Sequence, residues 1–157
     1  MEHLTRCGHL RTLPFDAAAC SHASLKDIAD DAVSWFLHTA RQERQFALKP
    51  TTLTEQALAH LNLLEARRPS HAAILLFGKN PQRFLPSAEV KCLHFHGTEV
   101  RKPIPFYQVF KGTVFAQVDH AVNFVMSKVD RRVGTRALSS AAPVEYEIPR
   151  EAITEAI

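Results

Sequence analysis

Residues Ser70 to Val90 read SHAAILLFGKNPQRFLPSAEV. Its apolar run, Ala72 to Phe77, is stopped by Gly78 and then by Pro81. A short apolar run bounded by breakers predicts a buried strand followed by a turn. The other elements have to pack around that strand, so its reading decides the fold. Gly78-Lys79 also raises the question of a phosphate-binding loop. Such a loop requires G-x-x-x-x-G-K-[ST], with backbone amides cradling phosphate and a hydroxyl reaching Mg²⁺. Ala73 stands where the first glycine is needed and Asn80 where the hydroxyl is needed, so a P-loop is excluded.

Downstream, Arg83 to Pro86 predicts a surface turn with Phe84 as its anchor. Glu89 to His96 alternates as a strand, with Val90, Cys92, His94 and His96 on one side and Lys91, Leu93 and Phe95 on the other. Gly97 to Phe106 holds Pro103 and Pro105 and reads as a loop. Thr113 then caps the clearest helix in the chain. Val114, Phe115, Val118, Ala121, Val122, Val125, Met126 and Val129 follow a 3.6-residue period there. Arg131 to Pro143 is polar and small in composition, and Val144 to Ile148 alternates as a further strand.

Upstream, Ser24-Leu25-Lys26-Asp27 has capping-box spacing with Asp in place of Glu or Gln. The stripe Ala32, Val33, Phe36, Leu37 and Ala40 predicts a helix from about Ile28 to Arg44, with Trp35 off the stripe. Thr52 to Glu55 is a second capping box, opening a short helix that turns Leu58, Leu61 and Leu64 inward. Met1 to Ala23 shows no sustained period and reads as a linker or the tail of an upstream domain. The expected fold class is therefore α/β in composition (α+β). A helical N-terminal part packs with a small mixed sheet and one long amphipathic helix.

The chain has 157 residues, 46% hydrophobic and 22% charged, which suffices for one packed core. Nineteen Lys and Arg stand against 16 Asp and Glu, a net charge of +3 that does not by itself argue for nucleic acid. No apolar run approaches the roughly 18 residues of a membrane span. Met1 to Arg11 has no apolar core for a signal peptide. Cys7, Cys20 and Cys92 are widely spaced, which reads as reduced thiols of a cytoplasmic protein.

Ala72 to Pro86, followed by Val90-Lys91-Cys92 and Phe95-His96-Gly97-Thr98, resembles the middle region of the ATP-dependent DNA helicase RecG-related proteins. These are bacterial predicted transcriptional regulators with a Schlafen-type AlbA domain. Gly8-His9-Leu10 with Phe15-Asp16 is similar to the family segment leaving that domain. Phe110-Lys111-Gly112 with Gln117 and Ala121 resembles the start of the next long helix. Ile148 to Ile157 resembles the opening helix of the family's histidine-kinase-like ATP-binding domain. Glu155 there matches the acidic residue that precedes an Asn by four. The resemblance implies a linker or AlbA-domain tail over 1–23, a connector domain over 24–148 and the truncated start of an ATP-binding domain over 149–157. It further implies a connector without catalysis of its own, in a parent protein that uses ATP and Mg²⁺ and acts on DNA or transcription. Its partners would be the flanking domains of the same chain and DNA, with no membrane. No cofactor is expected for this stretch alone.

Three constellations carry the candidate chemistry. Lys79, Arg83 and Lys91, with Arg101 and Lys102 near them, flank two predicted strands and could form a basic patch beside Phe84 and Phe106. Such a patch would hold phosphates without reading sequence. Cys92, His94 and His96 share one strand face and are the rival reading, a metal-binding or enzymatic domain. Their outer Cα atoms would lie about 13 Å apart, which works against one ion, so no metal is assigned. Cys92 with His94 and Asp119 or His120 could be nucleophile and base, but no motif fixes their proximity. The two N-terminal helices could also pass for a helix-turn-helix. Only Gln56 and Asn62 in the second could read bases, and a helical packing layer is preferred.

Overall fold

The structure is a computed structural model that describes residues 13–95, 97, 106–133 and 144–157, four of them (132, 133, 144 and 145) by backbone only. The chain divides after Ile74 into two compact units. The α+β class stands, with the strands distributed over three two-stranded antiparallel sheets among the described residues rather than one mixed sheet. No described helix is long and apolar enough to cross a membrane.

In the first unit, Ser24 and Asp27 do form a polar clasp. The Asp27 carboxylate accepts from the Ser24 amide at 3.0 Å and from its hydroxyl at 2.9 Å. The clasp closes a 3₁₀ turn, Leu25–Asp27, ahead of α1 (Asp30–Arg44). Val33 and Leu37 of the predicted stripe are fully buried, and Trp35 is exposed. The second helix, α2 (Thr54–His60), is capped differently from expectation. Leu53 is its N-cap, and Thr54 donates its hydroxyl to Asp30 of α1 instead of closing a local box. Leu58 is buried, and the amide of Leu63 returns to the Leu58 carbonyl at 2.8 Å.

A hairpin that the sequence did not announce follows: β1 (Leu64–Glu65) pairs with β2 (Arg68–Pro69). Its two turn residues, Ala66 and Arg67, both take left-handed φ, 47° and 63°. A type I′ hairpin turn demands this, and Asn-Gly usually supplies it. Here Arg67 also reaches Glu55 of α2 at 2.8 Å, which ties the turn to the helix.

The run Ala72 to Phe77 is a helix, α3 (His71–Phe77), and not a strand. A six-residue apolar run is ambiguous between the two states, and its composition favours helix, with Ile74 the only β-branched residue. The local capping settles it. Buried Ser70 accepts from the Ala73 amide at 3.2 Å through its hydroxyl. The Ala18 and Asp16 carbonyls accept from the amides of His71 and Ala72 at 3.0 Å each. Those bonds satisfy amides that a helix start leaves without intrahelical partners. Part of the segment read as a linker is thereby tied to α3 and β2, from Phe15 to Cys20. Ala19 bridges Ser70, the Cys20 amide donates to Pro69 at 2.9 Å, and Phe15 stacks on His71 at 4.3 Å.

In the second unit, a 3₁₀ turn (Pro81–Arg83) leads to β3 (Val90–His94), which pairs with β4 (Phe106–Phe110). The alternation predicted for β3 is present, with Val90, Cys92 and His94 half-buried and Lys91 and Leu93 exposed. The sequence reading ended its loop at Phe106 and missed β4. His96 and residues 98–105 lie outside the described residues.

Thr113 caps α4 (Val114–Met126), its hydroxyl accepting from the Ala116 amide at 3.4 Å. This helix covers the β3–β4 pair. Its most buried positions are Gln117, Ala121, Val122 and Phe124, so the covered face is rotated from the all-apolar stripe, and Val118 and Val125 are only half-buried. Arg131 to Val133 forms a short strand, β5, paired with β6 (Val144–Tyr146). Finally α5 (Arg150–Ala156) packs on α4, with Ile153 buried and Arg150 donating to Asn123 Oδ1 at 3.0 Å.

Candidate nucleic-acid interface

Two glutamines build the turn that carries the basic residues. Gln82 donates through Nε2 to the carbonyls of Ala88 (2.6 Å) and Gly112 (2.9 Å), and its Oε1 accepts from the Gly112 amide at 2.9 Å. Gln117, from the first turns of α4, donates to the same two carbonyls at 3.1 and 2.9 Å. Gly112 has φ +106°, a conformation that side-chain-bearing residues rarely adopt, so glycine is required where the chain turns from β4 into α4. The loop before β3 is thus clamped to the loop before α4 by side chains rather than by a sheet ladder.

On this clamp Lys79 and Arg83 are exposed, and the Arg83 guanidinium lies 5.3 Å from the centre of the Phe84 ring. Lys91 is exposed on β3 and pairs with Glu89 at 3.3 Å. Lys111 pairs with the other Glu89 oxygen at 3.6 Å. The pairing of Val90 with Phe110 carries outward by one residue to set Glu89 across from Lys111. Among the described residues, Lys91 and Lys111 thus converge on Glu89, and Lys79 and Arg83 lie in the loop that Gln82 ties to Gly112. Lys111 and Glu89 were not singled out in the sequence, because only the strand register brings them together.

Phe84 lies under the Arg83 guanidinium, whereas Phe106 lies away from these cations. It stands at the far end of β4 from Phe110, about 13 Å away along a strand. Arg101 and Lys102 lie outside the described residues. Among the described residues these few cations would contact only a few phosphate groups and supply no base-reading array. Of the helix-turn-helix candidates, Gln56 lies on α2, whereas Asn62 lies beyond its end in a left-handed turn, φ 57°. The two share no helix face.

Among the described residues, no three His, Cys, Asp or Glu side chains are grouped to hold a metal ion, and His96 lies outside them. Cys92 sits opposite Gln108, and burial pushes its thiol pKa up, away from a reactive thiolate. His94 packs against Phe106 at 5.7 Å, and His120 stacks on Phe110 at 5.2 Å. Each imidazole is engaged with a different ring, and Asp119 is exposed on α4. Glu155 is exposed on α5. One exposed carboxylate on a seven-residue helix does not by itself make a Mg-ATP site. Comparison with protein-family models, with curated proteins and with solved structures gives no match to this chain.

Proposed function

We propose that this chain is a non-catalytic connector domain of a cytoplasmic, ATP-binding, DNA-associated regulator of the RecG-related kind. It would transmit nucleotide state to a weak phosphate-contacting surface at Lys79, Arg83 and Lys91. The observation that carries the reading is the double attachment of α4. Near its N-terminus Gln117 is bonded into the clamp under the basic turn, and further along Asn123 is bonded to Arg150 of α5. A helix held at both ends by different elements can pass a displacement of one to the other. In the resemblance, α5 is where the ATP-binding domain begins.

The test is hydrogen exchange on a chain extended past Ile157 into that domain, with and without Mg-ATP. The expected result is ATP-dependent protection in α4 and in the 78–89 loop, lost in an Asn123→Ala variant that still binds ATP. An extended chain that binds no ATP, or binds it with α4 unchanged, overturns the proposal.

A further inference from the structure

Among the described residues, β3 and β4 form a two-stranded sheet, and no further strand lies beside β4. Phe106 to Phe110 reads F-Y-Q-V-F, without a charge, proline or glycine, and its register against β3 runs without a bulge. Its first four residues are exposed, Tyr107 by 52% and Val109 by 36%. Edge strands are ordinarily guarded by lysine, proline or a bulge, because their outward amides and carbonyls can pair with another strand. The stretch from Tyr107 to Val109 carries none of these guards. We propose that β4 pairs antiparallel with β4 of a second copy of this chain, about a twofold axis at Gln108. This goes beyond the connector reading and does not rest on it.

The symmetry of the strand argues for a second copy over an unrelated partner. A twofold contact must complement itself, so that residue i meets j and j meets i. The sequence F-Y-Q-V-F is close to its own reverse. Pairing about Gln108 sets Phe106 across from Phe110, Tyr107 across from Val109 and Gln108 across from its own copy. Aromatic pairs and aromatic–β-branched pairs are among the favourable cross-strand neighbours. A slip by one residue would set Tyr107 against Gln108 and turn the second copy's sheet over.

Charge agrees with that register. Phe106 and Phe110 face α4 and its C-terminal extension, through Lys128 and Phe124, so Tyr107 and Val109 face away from the helix. On that open face Tyr107 lies beside Leu93, and Val109 beside Lys91. Each row across the joined sheet would run Leu93, Tyr107, then Val109 and Lys91 of the second copy. The apolar side chains, Leu93 among them at 42% exposure, meet in the centre. Each lysine falls at the outer end of its row, where Glu89 already pairs it. No two like charges are set opposite.

Area fixes the strength. A standard interface takes about 800 Å² from each partner, and a five-residue strand offers less. The dimer is therefore weak and forms at high protein concentration. It turns a two-stranded sheet, marginal by itself, into a four-stranded one.

Sedimentation velocity on the 157-residue chain, at low salt and up to about 1 mM, reads the monomer–dimer equilibrium. The dimer fraction should rise with concentration. Tyr107→Lys with Val109→Lys sets like charges opposite at two symmetry-related places and should weaken association about ten- to hundredfold. Tyr107→Lys with Val109→Glu sets opposite charges at the same places and should recover it to within about fivefold of the parent. Melting curves establish that each variant is folded. Tyr107→Cys with Val109→Cys is the independent check, since directly opposite residues lie within disulfide reach. Oxidation should join two chains between positions 107 and 109. A parent that stays monomeric throughout, parental association in the folded like-charge variant, no recovery in the folded opposite-charge variant, or no such covalent dimer overturns the proposal.

Discussion

Gln82 and Gln117 donate to the same two carbonyl oxygens, those of Ala88 and Gly112, from two different elements. Gln117 is one of only two buried polar side chains among the described residues, which makes its bonding consequential. A buried amide without partners costs about 1–3 kcal/mol, so the clamp is stable only when complete. It also fixes the direction in which β3 and α4 leave their loops.

Gln117→Leu should destabilise the second unit by about 1–3 kcal/mol, and Gln82→Leu by a similar amount, because the Gly112 amide loses its acceptor. The double variant should cost more than the sum, since the two carbonyls then lose both donors. A coupling energy of about 0.5 kcal/mol or more in denaturant unfolding is expected. Strict additivity would mean that the two glutamines act separately.

Ser70→Ala probes the start of α3. The hydroxyl is fully buried and its bond to the Ala73 amide replaces a missing intrahelical partner, so a loss of about 1–2 kcal/mol is expected. Ser70→Asp, an equally good cap in water, should do no better here, because a carboxylate would be buried without a counter-charge. Chemical denaturation of both variants checks this.

Much of the architecture could be read before the structure. The buried stripe of α1, the Thr113 cap of α4 and the alternation of β3 follow from local sequence. What escaped was set at a distance. Ala72 to Phe77 is a helix because Asp16 and Ala18, more than 50 residues earlier, accept its first amides. Phe106 to Phe110 became a strand through pairing with β3, and its burial pattern shows no alternation to announce it. The basic turn was legible as residues, but the sharing of Glu89 with Lys111 was legible only through register.

Both described thiols are raised by burial, Cys20 against a smaller opposing effect of Arg68, and Cys92 by burial alone. A thiol whose folded pKa is raised holds its proton more tightly than in the unfolded chain. Stability should therefore be full below the ordinary thiol value and fall as pH rises through and above it. Alkylation of Cys20 and Cys92 by iodoacetamide, resolved by peptide mass spectrometry, should be slower than in the unfolded chain by more than tenfold. Equal rates in the folded and unfolded chain would contradict the burial of these groups.

The basic turn yields the last prediction. Lys79, Arg83 and Lys91 can neutralise only a few phosphates, so any duplex DNA binding by this surface should be weak, indifferent to sequence and steeply weakened by salt. Lys91 already pairs with Glu89, whose carboxylate keeps Lys111 as a partner at 3.6 Å once Lys91 is reversed. Reversing Arg83 and Lys91 together to Glu should therefore abolish duplex binding while moving the melting temperature by no more than a few degrees. Duplex affinity that survives the reversal would locate the contact elsewhere on the chain.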